Sequence, residues 1–245
     1  MPPSVLVIAG LDPCGGAGIS ADIETLHALG CHAMPVLSAL TVQDSRQVYD
    51  FVSVDPELMR RQLAVLVADT PPAAIKIGML GHAGIVRVVG ELLEQLAHKP
   101  PVVLDPILAA NLAGALAADD LLPALSALWP HVRLLTPNSV ELERLGTVEA
   151  LLAAGVDNLL VTGGHQPGPT LTNTLYRRQG ATQSWTWPRL AGEFHGSGCT
   201  LAAACAAGLA QGWPVEQALV QAQTYTLQAL QRAWQPGRGQ ALPWR

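Results

Sequence analysis

The sequence predicts an α/β protein whose mostly parallel sheet is covered by helices, and three observations carry that expectation. Apolar, strand-like runs alternate with helical patterns along most of the 245 residues. One glycine-rich turn follows the first such run, and a second opens a late helix. Gly10, Gln43, Met79, Asp105, Asn138 and Gly163 each sit just past a strand-like run, at the strand ends where sheets of this class bind ligands.

Residues 4–9 form a continuous apolar run, as expected of a strand buried on both faces, and lead into Gly10-Leu11-Asp12-Pro13-Cys14-Gly15-Gly16-Ala17-Gly18. The helix that follows shows its period in Ile19, Ile23, Leu26 and Leu29, and Gly30 is its stop signal. Further strand-like runs fall at 33–40, 74–79, 101–106, 132–136 and 158–162. Helical patterns occupy 56–68, 82–97, 119–129 and 139–154, with two more after 198 and 214. Residues 46–54 alternate like a strand after the Gln43 turn and predict a small β flap that shields a ligand from water. Trp185 and Trp187 alternate as in a strand that forms a short edge or an interface; Trp129, Trp213, Trp234 and Trp244 are expected to pack or flank helices.

The late glycine turn is the most informative stretch. His195-Gly196-Ser197-Gly198-Cys199-Thr200 runs directly into the small-residue helix 201–209. A helix starting there leaves its first N–H groups unpaired, with the positive end of its dipole behind them, which makes an anion site. Gly196 and Gly198 admit close backbone approach, and Cys199 falls where a thiol ionises more readily than in free solution. The competing reading is a glycine that caps a buried helix. The first turn fits neither G-x-x-x-x-G-K-[ST] nor G-x-G-x-x-G. Asp22, one turn beyond Gly18, either faces a ligand in that turn or is a solvated first-turn carboxylate.

Composition narrows the function classes. The length and 49% hydrophobic content suffice for one domain over 1–245 with one core. A net charge of −5 without a basic run argues against a nucleic-acid surface. Apolar stretches are interrupted before membrane-spanning length, and no charged leader with a long apolar segment opens the sequence. Cys14, Cys31, Cys199 and Cys205 form no C-x-x-C pair, which predicts free thiols and a cytoplasmic protein. The seven histidines show no metal-ligand spacing, and His195 is expected to shape its turn.

A-G-L-D-P-C-G-G-A-G-I-S-A-D at 9–22, S-A-L-T-V-Q-D at 38–44, K-I-G-M-L at 76–80, V-L-D-P at 103–106, T-P-N-S-V-E at 136–141, G-G-H at 163–165 and H-G-S-G-C-T-L-A-A-A at 195–204 occur in this order. The set resembles the hydroxymethylpyrimidine and phosphomethylpyrimidine kinases of thiamine biosynthesis, members of the ribokinase-like fold, over nearly the whole chain. Most sugar kinases of that fold are similar but carry aspartate at the position of Cys199.

The resemblance implies a three-layer ribokinase-like fold, ATP and Mg²⁺ as cofactors, an aminopyrimidine substrate and a homodimer. It implies a pyrimidine pocket of Gly10, Asp22, Gln43, Met79 and Ile107, in which the Gln43 carboxamide pairs with the amino group and ring nitrogen. On its own, Met79 reads rather as ordinary core filling, and the competing reading of Gln43 is a polar residue in a turn. Asn138, Thr162 and Gly164 are implied to contact nucleotide, with Asp105 and Glu141 near the metal. Without the resemblance, Asn138 and Glu141 read preferentially as an N-cap and a first-turn acid after Pro137. Gly196, Ser197 and Gly198 are implied to cradle the phosphoryl group, and Cys199 to act as base toward the substrate hydroxyl. Lys76, inside a strand pattern, reads as structural.

Departures from the family pattern are Thr162, where relatives usually carry lysine, a blander segment at 109–114, a shortened 146–158, and a tail ending Pro243-Trp244-Arg245 without a glycine-rich close. Cys14 stands for serine, Asp44 for asparagine and Ser197 for threonine. These changes bear on nucleotide affinity and on a second phosphorylation. Two other readings stay open: a pyridoxal or pyridoxine kinase, and a pyrimidine-binding protein with little catalysis.

Overall fold

In the computed structural model of the protein, residues 1–108, 121–164 and 168–245 are described. Each strand-like run of the sequence is a strand of one nine-stranded sheet of order β3-β2-β1-β4-β5-β6-β7-β8-β9. In chain order the elements are β1 (Ser4–Leu11), α1 (Gly18–Ala28), β2 (His32–Gln43), β3 (Val48–Ser53), α2 (Pro56–Asp69), β4 (Ala74–Ile77) and α3 (Ala83–Gln95). They continue with β5 (Val102–Leu104), α4 (Leu121–Leu125), β6 (Val132–Leu135), α5 (Ser139–Leu145), α6 (Val148–Ala153) and β7 (Asn158–Val161). β8 (Thr170–Arg177), β9 (Gln183–Pro188), α7 (Ser197–Ala210) and α8 (Val215–Gln231) complete the chain.

Strands β2, β1, β4, β5, β6 and β7 run parallel, and β3, β8 and β9 pair antiparallel at the two edges. Alternation along β1 sends Leu6 and Ile8 to one face, where Met59 and Leu63 of α2 and Ile85 and Val89 of α3 cover them. Val5, Val7 and Ala9 point to the other face, against Ile19 and Leu26 of α1 and the small residues of α7. Both faces are therefore buried and the fold has three layers, which is why these strands read as unbroken apolar runs. Alanines 202–207 are buried on every side of α7 except where Cys205 takes their place, itself buried. Gly208 lets α8 approach: a Cβ there would lie 2.8 Å from Ala218 Cβ.

The β2–β3 hairpin is the small flap expected from residues 46–54, pairing Leu40 with Val52 and Val42 with Asp50. Trp185 and Trp187 lie on edge strand β9, and Trp234 stacks edge-on against Trp244 at 6.4 Å. Three expectations need correction. The helix read over 139–154 breaks at Gly146, whose φ of +120° no helix accommodates, and restarts as α6 behind the Thr147 cap. The helix read over 119–129 is α-helical over Leu121–Leu125 and then tightens to a 3-10 helix over Ser126–His131, where Pro130 lacks the N–H an α-helix needs. Strand β8 was not expected at all. Residues 109–114 and His165, singled out in the sequence, lie outside the described residues.

The chain leaves β1 toward β2 on one side and reaches β4 and β5 on the other. The carboxyl ends of β1 and β4 thus flank a topological switch point, and the crevice of an α/β sheet opens there.

Candidate active site

The two glycine turns meet over that crevice. Past Leu11 the chain must reverse to start α1, and Asp12, buried, organises the reversal. Its carboxylate accepts the Cys14 and Ala17 N–H groups at 2.9 and 2.8 Å and lies 2.8 Å from His195 Nε2. His195 so ties the second turn to the first. Ligating atoms of Asp12, Cys14 and His195 lie within 4.8 Å of one another, a cluster that histidine spacing did not reveal. Gly196 caps α7 with φ +81°, and a Cβ on it would lie 1.9 Å from the Gly16 carbonyl oxygen, so only glycine fits. No side chain caps this helix start. The first N–H groups of α7 are left for a ligand, and Gly196, Ser197, Gly198 and Cys199 all line the cleft.

Cys199 is in the cradle but is not the thiolate the sequence suggested. Burial pushes its pKa up to about 12; Lys76 pulls it down, while the nearby Asp105 and Asp22 raise it further. The helix-start effect operates on a group too deeply desolvated to respond to it. Beneath the cradle lies a buried ion pair, Lys76 Nζ to Asp22 Oδ2 at 2.8 Å, with both side chains at 0% exposure. Burial works against the ammonium, yet Asp22, Cys199 and Asp105 outweigh it and hold Lys76 above the usual lysine range. Gly78 makes room for it: a Cβ there would lie 2.8 Å from Nζ.

This pair corrects the expectation for Asp22. On α1 it shares the inner face with Ile19 and Leu26, so its carboxylate points into the core toward β4 and does not line the cleft. The other four residues implied for the pyrimidine do line it: Gly10, Gln43, Met79 and Ile107. Met79 Sδ packs against Gly10, where a Cβ would sit 3.4 Å away, and Ser38 Oγ donates to the Met79 carbonyl. Gln43, at the end of β2, donates to Thr41 Oγ1 at 2.8 Å, which orients its carboxamide at the base of the flap.

Across the cleft, Asp105 follows β5 and Glu141 lies in the first turn of α5. Asn138 and Glu141 form a capping box, with Glu141 N–H on Asn138 Oδ1 and Asn138 N–H on Glu141 Oε2, both at 2.9 Å. The cap reading of the sequence therefore holds, and both side chains also line the cleft. Burial raises the Glu141 pKa to about 7, with Asp105 adding to the rise, and burial raises that of Asp105 to about 6 despite Lys76. Asp105 Oδ2 is buried without a hydrogen-bond partner. Two carboxylates that resist ionising side by side, one with an orphaned oxygen, form a donor set that fits a hard divalent cation. Thr162 and Gly164 line the same end. The Thr162 N–H bonds Pro137 O at 2.9 Å, and Gly163 lies so close to Thr172 that a Cβ would meet its carbonyl oxygen at 2.4 Å.

These parts share one cleft of about 760 Å³. A family model described as phosphomethylpyrimidine kinase matches residues 12–244. The chain belongs to the phosphomethylpyrimidine kinase family. Among relatives, the hydroxymethylpyrimidine/phosphomethylpyrimidine kinase of Streptomyces coelicolor is 37% identical, with 97% of this chain and 92% of that protein covered. The Escherichia coli enzyme of the same name is 36% identical over 83% of this chain and 82% of its own length. Among solved structures, the pyridoxal kinase of Staphylococcus aureus in complex with AMP-PCP superposes with a TM-score of 0.90 at 25% identity, covering 100% of this chain and 93% of that one. The phosphomethylpyrimidine kinase of Clostridium difficile does so with 0.77 at 27% identity, covering 93% and 99%.

In this member of the phosphomethylpyrimidine kinase family, the far end of the cleft holds residues that sequence reasoning did not single out. Leu171, Trp187, Leu190 and Leu227 give it an apolar lining. An amide network backs it: Asn173 Oδ1 accepts Gly163 N–H at 3.0 Å, and Gln223 Oε1 accepts Asn173 Nδ2 and Trp187 Nε1, both at 2.9 Å. Arg189 lines the cleft and donates to the carbonyls of Gly164 and Gly168 at 2.7 and 2.8 Å. Arg189, the residue after β9, thus brings a cation to the Gly163–Gly164 turn that follows Thr162. Its only sequence signal was its place after the Trp185 and Trp187 alternation.

Proposed function

We propose that this protein moves the γ-phosphoryl group of ATP onto the hydroxymethyl oxygen of 4-amino-5-hydroxymethyl-2-methylpyrimidine, and then onto the resulting monophosphate. The observation that carries this reading is the uncapped start of α7, which shares a single cleft with Gln43, Met79 and Ile107 and with an acid pair. The solved complex of the Staphylococcus aureus kinase with AMP-PCP supports ATP as donor.

In this reading Gln43 pairs with the aminopyrimidine edge, while Met79 and Ile107 hold the ring. The N–H groups of the Gly196–Cys199 turn face the charge that spreads over the moving phosphoryl oxygens. The substrate oxygen bonds to the γ-phosphorus, the bond from phosphorus to the β-bridging oxygen breaks, ADP leaves, and the hydroxyl proton goes to solvent. A thiol with a pKa near 12 stays protonated, so Cys199 acts as a neutral neighbour of the substrate. A loose transition state asks little of a base. Asp105 and Glu141 would hold magnesium, which supplies neutralisation of the phosphate charge when bound. Asn138, Thr162 and Gly164 meet the nucleotide phosphates, Arg189 adds positive charge beside them, and Leu171, Trp187, Leu190 and Leu227 receive the base.

We assign the activity to one domain over 1–245, in a cytoplasmic homodimer bound to neither membrane nor nucleic acid. No described helix is long and apolar enough to cross a membrane. The likeness to pyridoxal kinases makes vitamin B6 the competing substrate. Purified protein is incubated with MgATP and either the hydroxymethylpyrimidine or pyridoxal, and products are followed by phosphorus NMR. Monophosphate followed by diphosphate supports the two-step reading; monophosphate alone confines the activity to the first transfer. Faster turnover of pyridoxal overturns the pyrimidine assignment. Pyrimidine binding without turnover of either substrate indicates a binding protein.

A further inference from the structure

Arg245 belongs to no motif and does not line the cleft, yet it sits where the two glycine turns join. Its side chain is only 1% exposed. Nη2 donates to the Gly16 carbonyl, Nη1 to the Gly15 carbonyl at 3.5 Å, and Nε to Thr200 Oγ1 at 2.9 Å. Thr200 in turn donates to the Gly196 carbonyl at 2.9 Å. Nη1 also pairs with the exposed Glu24 carboxylate at 3.1 Å. One rigid fork thus grips the back of both turns, a geometry that guanidinium supplies and ammonium does not.

The segment carrying it is itself fastened along its length. Gly239 and Gln240 bond Ser45 at the flap hinge, Ala241 pairs with Glu193 and His195, and Trp244 N–H bonds Ala229 O. Peptide planarity gives the grip a direction: the Gly16 carbonyl held by Arg245 sets the Ala17 N–H on Asp12, and the Gly196 carbonyl held through Thr200 sets the Ser197 N–H at the uncapped start of α7. The Gly16 oxygen also lies hard against Gly196, so the charge of Arg245 offsets a carbonyl dipole that would otherwise repel an anion in the cradle.

We propose that Arg245 is a positioning residue for phosphoryl transfer, holding the Gly15–Gly16 turn and the start of α7 in the one relative placement that forms the anion cradle. The proposal rests on the kinase reading above.

Wild-type turnover is measured first, since its absence would fail that reading and not this one. For Arg245→Ala we expect kcat to fall about 100-fold, the loss a displacement of roughly 1 Å produces, with the pyrimidine KM within about threefold. Arg245→Lys should recover only part of the loss, and millimolar guanidinium chloride should rescue Arg245→Ala but not wild type. Without any substrate, amide exchange at Ala17 and Thr200, whose N–H groups bond Asp12 Oδ2 and Gly196 O, should quicken in Arg245→Ala by about tenfold or more, a local opening. Glu24→Gln should leave kcat within about twofold, as an exposed pair contributes little. Unchanged exchange with unchanged kcat overturns the proposal, as does a Glu24→Gln loss equal to that of Arg245→Ala. Should Arg245→Ala fail to fold, Arg245→Lys decides alone: wild-type kcat in that variant overturns it.

Discussion

At the residue scale, the cradle and the thiol make separable predictions. Cys199→Ala should lose about tenfold or less in kcat, below the roughly 10²–10⁴ that a general base supplies. Gly198→Val, which drives a branched side chain toward Asp105, 3.8 Å from where a Cβ would begin, should lose about 10²–10³, as when oxyanion donors are displaced. Steady-state kinetics on the two variants decides, and equal losses would return Cys199 to the role of base. Glu141 gives a pH prediction. Its folded pKa of about 7 exceeds the ordinary 4.5, so between those values the folded chain keeps a proton that the unfolded chain has released. Metal-free stability should therefore decline as pH rises from about 4.5 to about 7, and Glu141→Gln should flatten the slope of the urea midpoint over that window. Local reading placed most of its candidates in the cleft, missed the residues of the far end, and misjudged two. Asp22 needed its partner from β4, far along the chain. The Cys199 pKa depends on burial and on Asp105 and Asp22, neither of which a helix-start argument contains.

At the element scale, α7 both presents the cradle and packs inside the molecule, so its sequence is nearly all small. Gly208→Val should destabilise the protein by about 1–3 kcal/mol or more, since the contact with Ala218 leaves no space for a branched chain. Urea unfolding measures it, and an unchanged midpoint would show that α8 can retreat at no cost. The central strands were legible because burial on both faces makes them continuous apolar runs. β8 was not: only Asn173 and Leu175 in it are buried, and its polar positions serve the amide network and the sheet edge. The break between α5 and α6 was marked by Gly146, a stop signal overridden by the apolar period on either side of it.

At the scale of the whole molecule, the cleft draws on both edges and the middle of the sheet: the flap at one end, β9 at the other, and the switch point between them. Ligands that bridge these parts bind only the folded chain. Pyrimidine plus a non-hydrolysable ATP analogue with magnesium, each near a hundred times its Kd, should raise Tm by roughly 5–10 °C, the equivalent of about 2.7 kcal/mol or more. A scanning-fluorimetry shift below about 1 °C would mean that the folded chain does not hold these ligands selectively over the unfolded one. The interlocked glycines have a consequence for how such a protein can change over time. Gly196 is closed to any side chain by the Gly16 carbonyl, and Gly16 by His195 and Leu242, at 1.9 and 2.5 Å. Neither constraint involves the acceptor. Gln43, Met79 and Ile107, proposed here to border the acceptor, lie on other segments. The wall is thus free to drift toward new alcohols while the cradle stands still, and descendants of this scaffold would share their glycines and differ in what they phosphorylate.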